Sequence, residues 1–174
     1  LRLSLHTRPV VFLSSDKLLV SCHAKDSRTF QAAHHFIADN YTESGQPVHN
    51  GDLAPVFKLK KPPRSTDELQ IQIISGLVDR YLEIRQEISY ELDRWQRDLL
   101  NPRKKFRNWN ALLSARNELT RLETLAEDQI DAVRDWWDHK DRNDSAAQWV
   151  QVRTNDTLEH LQRIATLARR LGNS

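Results

Sequence analysis

Cysteine is almost missing from this chain: Cys22 is the only one. A single thiol excludes an intrachain disulfide and a thiolate metal cluster. Methionine is absent altogether, position 1 included, so the chain reads as an excised piece of a larger protein. Glycine occurs only four times, and nowhere in a phosphate-cradling loop. No run of about 18 apolar residues is present, so nothing in the sequence spans a membrane. No signal-peptide pattern opens it. An excess of one charge is lacking too: the formal net charge is +2, a weak pull toward nucleic acid or anionic membrane. Ser, His and Asp occur without a nucleophile elbow or triad context, and no Cys or His spacing fits a structural zinc site. These absences point away from an enzyme.

What the chain does have is charge and helical periodicity. Charged residues make up 29% of its 174 residues and apolar ones 39%, a mix that suits a helical domain rich in exposed charge. From Thr66 to Trp137 the sequence predicts two long amphipathic helices. In the first, Ile74, Leu77, Tyr81, Ile84, Ile88, Leu92, Trp95 and Leu99 recur in steps of three and four, which is one apolar stripe. In the second, the stripe is Trp109, Leu112, Leu119, Leu122, Ala126, Ile130, Val133 and Trp137. Pro102 lacks an N–H and disfavours helix at Asn101. The chain therefore turns there and the helices become antiparallel neighbours. Trp95 and Trp109 bracket that turn and are expected to pack together.

Before this hairpin, Val10–Leu13 and Leu18–Cys22 are β-prone runs around the turn signal Ser14-Ser15-Asp16, which predicts a β-hairpin. Leu1–His6 alternates as a further short strand. Two strands alone are marginal in water, so further strands, upstream, or a helix over one face are expected. Asp26 or Ser27 can cap a helix over Arg28–Asp39 with Phe30, Ala33, His34 and Ile37 inward. Residues 42–65 hold four of the six prolines and two glycines and read as a long loop. After Trp137 the polar run Asp138–Asp144 reads as a loop. A third helix is expected from Thr154 or Asn155, with Leu158, Leu161, Ile164, Leu167 (or Ala168) and Leu171 as its stripe.

Few side chains suggest chemistry. Asp156 and His160 lie four apart, which puts a carboxylate and an imidazole on one helix face within reach of one cation. Against this stands the plain reading that Asp156 complements a helix start and His160 is solvated. Asp79, on the first long helix, is a further candidate carboxylate or simply a surface charge. His34, His35 and Asp39 invite the same question, but neighbouring helical residues point about 100° apart, so one histidine is expected packed and the other wet. The clusters Lys58, Lys60, Lys61, Arg64 and Arg103, Lys104, Lys105, Arg107, the second beside Phe106 and Trp109, carry an alternative reading. It is a soluble helical-hairpin interaction or nucleic-acid-binding module, although neighbouring acids weaken any phosphate footprint.

The order of the pieces is more specific than any one of them. Val11-Phe12-Leu13 and Leu18–His23 come first, then Gly76-Leu77-Val78-Asp79-Arg80-Tyr81. Leu92-Asp93, Leu112–Leu119 and Asn155-Asp156-Thr157-Leu158-Glu159-His160-Leu161 follow. This series resembles the cytoplasmic domain of the CorA family of divalent-cation channels over nearly the whole chain. The resemblance implies an α+β fold: a partial mixed sheet with a helix (residues 1–65), packed on a long antiparallel helical hairpin (66–138), then a loop and the start of a stalk helix (139–174). It implies a homopentamer in the bacterial inner membrane, held there by spans beyond this chain. The domain would lie on the cytoplasmic face, with divalent cations rather than nucleic acid as partners, and the isolated chain is expected to associate weakly. Regulatory metal sites lie between neighbouring domains in the family. Asp156 and His160 match the stalk's Asp-x-x-x-His, and Asp79 matches the acid after Leu-Val, so these three are the expected metal residues. Mg²⁺ is the implied ion, with Co²⁺, Ni²⁺ or Zn²⁺ also fitting. The ZntB-type zinc transporters share the architecture, and the Asp156/His160 pair fits the magnesium branch better. The Gly-Met-Asn filter is absent, and the hairpin tip is basic where family tips are often acidic.

Overall fold

The computed structural model describes residues 7–41, 63–99, 109–140 and 145–173. Their order is β1 (Val11–Ser14), β2 (Leu19–Cys22), α1 (Arg28–Tyr41), α2 (Thr66–Leu99), α3 (Trp109–Asp138) and α4 (Ser145–Gly172). The fold is α+β, and most of it is helix. Two compact units share it. One is built on the described residues of 7–77 and 141–155, the other on those of 78–140 and 156–174.

In the first unit, β1 and β2 pair antiparallel, with Val11 opposite Cys22 and Leu13 opposite Val20. The Ser15 N–H donates to the Leu18 carbonyl at 2.8 Å and closes the turn. Alternation sends Phe12 and Leu19 to one face. There they pack with Val10, Leu69 and Leu77 against a core of Phe30, Ala33 and Ile73. The His23 ring stacks on Phe30 with centroids 3.8 Å apart. The other face carries Val11, Leu13 and Val20, all exposed. Helix α1 starts where expected and ends two residues later, and Arg8 pairs with Asp26 just ahead of it. Its inner face is Thr29, Phe30, Ala32 and Ala33. His34, expected inward, is exposed, and so is His35. The buried stripe is centred on small residues, which leaves both imidazoles in water.

Ser65 caps α2: its hydroxyl accepts from the Glu68 N–H at 3.1 Å, while the Glu68 carboxylate accepts from the Arg64 N–H at 2.7 Å. This is close to a capping box. Asp67 and Glu68 in the first turn also oppose the helix dipole. The Thr66 hydroxyl donates to the Ser15 carbonyl at 2.8 Å and fastens this helix start to the strand turn. Residues Gln70, Ile71, Gln72 and Ile73 are all buried, so the second turn of α2 is enclosed on every side.

The second unit contains the rest of α2, all of α3 and the second half of α4. Its core is Val78, Ile88, Leu92 and Trp95 from α2, Ala115, Leu119, Leu122, Ala126, Ile130 and Val133 from α3, and Leu161, Ile164, Ala165 and Ala168 from α4. The Gln129 amide donates to the Tyr81 hydroxyl at 2.5 Å. Tyr81 lies in the first half of α2 and Gln129 in the second half of α3, as an antiparallel pairing requires. At 34 residues, α2 is about 50 Å long.

Three expectations need correction. Trp109 does not join Trp95 in the core: Trp95 is 2% exposed and Trp109 56%. The buried α3 stripe instead begins with Ala115. Helix α4 begins at Ser145 rather than near Thr154. Its buried stripe runs Val150, Thr154, Thr157, Leu161, Ile164, Ala168, in steps of three and four, and two threonines hide it from an apolar pattern. Leu158, expected on that stripe, is only half-buried. The expected strand over 1–6, the loop after Thr42, the basic clusters apart from Arg64, and the turn at Asn101–Pro102 fall outside the described residues.

Candidate metal site on the helical unit

Asp79, Asp156 and His160 come together within the second unit, although Asp79 stands far from the other two in the sequence. Asp79 sits on α2, and Asp156 and His160 sit on α4. Helix α4 starts at Ser145, so Asp156 lies well past its first turn. That removes the reading of it as a helix-start charge, because the dipole's influence fades within the first turn. The Leu161 and Val78 side chains beside these residues are buried. They seat α4 on α2, and the polar residues next to them meet at the rim of that contact.

The imidazole of His160 stands between the two carboxylates. Its Nδ1 is 3.9 Å from an Asp79 oxygen and its Nε2 is 3.8 Å from an Asp156 oxygen. Both gaps exceed a hydrogen bond, so neither carboxylate locks the ring. Metal–nitrogen and metal–oxygen bonds together span about 4.0–4.3 Å, so each gap has the length that a bent nitrogen–metal–oxygen bridge spans. The two ring nitrogens face opposite ways, so one ion can take His160 with one aspartate only. The second aspartate is then placed to orient the ring through its other nitrogen. The side chains are 46% (Asp79), 47% (Asp156) and 32% (His160) exposed. That admits an ion and leaves room for water in its coordination shell.

Among the described residues, no group of three or more His, Cys, Asp or Glu side chains is arranged to hold a metal ion by itself. Asp79, Asp156 and His160 present carboxylate oxygens and one ring nitrogen to the same rim. His34 and His35 stand edge-to-face with centroids 6.3 Å apart, on the exposed side of α1, and converge on nothing.

Sequence reading missed the second charged constellation. Arg169 of α4 donates through Nε to Glu123 at 2.5 Å and through its terminal nitrogen to Glu127 at 2.6 Å. Both glutamates belong to α3. The hydrogen bond and charge of Glu123, then the charge of Glu127, hold the Arg169 proton beyond the ordinary arginine range. A raised folded-state value means the proton is kept wherever an unfolded arginine keeps it, so the arginine does not switch this contact across neutral pH. Spacing within α3 could have flagged Glu123 and Glu127 as one face. Nothing local pairs them with a residue 42 to 46 positions later.

Among the described residues, no helix is long and apolar enough to cross a membrane. No curated protein and no solved structure gives a significant match to this chain. One family model does, that of the CorA-like Mg²⁺ transporter protein, and it matches residues 2–174. With a match over all but the first residue, the chain belongs to the CorA-like Mg²⁺ transporter family.

Proposed function

We propose that the chain is the regulatory domain of a CorA-type channel, sensing the cation that the channel carries. The family supports a role in divalent-cation transport. The arrangement that carries the finer reading is His160 between Asp79 and Asp156, on two helices of one unit. Residues 1–65 form the sheet subdomain with its linker, 66–138 the hairpin, and 139–174 the approach to the stalk. In the pentamer, on the cytoplasmic face of the inner membrane, cation bound between neighbouring domains completes its shell with a second chain's acids. That bound cation holds the closed state, and its loss frees the α4 helices to move. That no group of three or more such side chains among the described residues is arranged to hold an ion by itself fits a site shared between chains. No catalytic step is assigned.

Carboxylates suit Mg²⁺, which keeps several waters and few protein ligands. His160 adds a nitrogen that favours Co²⁺, Ni²⁺ or Zn²⁺ over Mg²⁺. The isolated chain is therefore expected to bind Co²⁺ more tightly than Mg²⁺, and both weakly. Titration with Co²⁺ followed on the histidine ring signals tests this. His160 should respond first, and Asp156→Ala should weaken its response. A response confined to His34, His35 or His139 would overturn the assignment. For the whole protein, two apolar spans after Ser174, with Gly-Met-Asn following the first, are expected in the coding sequence. A stop codon at that point would contradict the channel reading.

A further inference from the structure

Helix α4 meets its two neighbours in the helical unit through charged side chains at two heights. His160 faces Asp79 of α2. Arg169 bridges Glu123 and Glu127 of α3. From His160 to Arg169 is about 14 Å along the axis, or roughly two and a half turns. The ties therefore leave α4 on opposite sides. Close by, a Cβ at Gly172 would lie 3.9 Å from the Leu119 Cβ, so the end of α4 approaches α3 in ordinary contact.

The arginine contact has the geometry of a clamp. Glu123 and Glu127 stand one turn apart, about 6 Å along α3, and the guanidinium fork reaches both with bonds of 2.5 and 2.6 Å. A single carboxylate would tolerate sliding. Two carboxylates one turn apart trap a planar fork between them. A shift of α4 by one residue, about 1.5 Å, keeps both bonds only if the three side chains change rotamer together. Arg169 is itself 56% exposed, and exposed ion pairs contribute little to stability. The contact therefore specifies position more than it adds stability.

We propose that Arg169 is a positioning residue for the cation response: its clamp on Glu123 and Glu127 sets the register of α4 against α3, and with it the approach of Asp156 and His160 to Asp79. This rests on the reading of those three residues as the cation site. Loosening the clamp moves the ligands without touching them, so the site responds at a different cation concentration.

The test uses the complete transporter in liposomes, with Mg²⁺ as the probe and half-closure as the readout. Arg169→Gln should shift the Mg²⁺ concentration for half-closure by about three- to tenfold, within the roughly two- to thirtyfold range of mutational effects on coupling between sites. The pair Glu123→Gln/Glu127→Gln should shift it equally, and all three changes together no further, because each removes the same contact. Arg169→Lys, a point charge without the fork, should fall between. Thermal unfolding of the 174-residue chain should be nearly unchanged, while amide exchange in the last turns of α4 should quicken. If Asp156→Ala abolishes the response and Arg169→Gln leaves the midpoint within twofold of the parent, the clamp inference is overturned and the site stands. If Asp156→Ala has no effect, the site reading fails and takes the clamp's role with it. Shifts that add between Arg169 and the two glutamates would also overturn the proposal.

Discussion

At the scale of the residue, one indole decides how the far part of the hairpin holds together. Trp95 is buried, and Trp109 is mostly exposed. Trp95→Ala should cost about 3–5 kcal/mol, as a large aromatic truncated in a closed core does. Trp109→Ala should cost about 0.5 kcal/mol, as surface changes do. Urea unfolding of the two variants measures both. A loss below about 1 kcal/mol for Trp95→Ala would place its ring outside the core. Thr154 is 0% exposed and its hydroxyl finds no hydrogen-bond partner among the described residues. Thr154→Val removes that unsatisfied group at nearly constant shape and should stabilise the chain by about 1 kcal/mol. A loss of stability instead would mean that the hydroxyl is satisfied, for example by an ordered water. Both aspartates and His160 were legible as candidates from the sequence. Their convergence was not: Asp79 reaches His160 only through the packing of α4 on α2, which no local pattern encodes.

At the scale of the element, the start of α2 was legible from its chemistry and that of α4 was not. Ser65, Asp67 and Glu68 announce α2, and it begins there. Ser65→Ala should cost about 1 kcal/mol through the lost cap, read as a lower urea midpoint with an unchanged slope; no change would mean the Glu68 N–H is satisfied otherwise. Helix α4 has no acidic residue in its first turn, and threonines occupy two positions of its buried stripe. Its regular apolar spacing therefore shows only from Leu158 onward. The difference concerns position along α4, and it alters the functional argument: Asp156 inside the helix is no longer accounted for by the dipole. The β-hairpin is legible from its β-prone runs around Ser14-Ser15-Asp16, and the pleat sends Val11, Leu13 and Val20 to the face that is exposed here.

At the scale of the whole molecule, the exposed residues of α4 bear on assembly. Trp149 and Val152 are its large apolar exposed side chains. Glu159 and Arg163, paired with each other at 2.5 Å, follow on the exposed surface. Such a surface gives little apolar seam for a coiled coil. The 174-residue chain should therefore sediment as a monomer or weak dimer at micromolar concentration, and a stable pentamer would contradict this. Family membership became legible because the order of weak motifs spans nearly the whole chain, where each motif alone decides nothing. The central claim is that Asp156 senses cation, and flux at high internal Mg²⁺ tests it most directly. In liposomes carrying the complete transporter, Asp156→Ala should conduct as the parent does at low internal Mg²⁺ and should fail to close as internal Mg²⁺ rises. Closure of the variant over the same Mg²⁺ range as the parent would contradict the account.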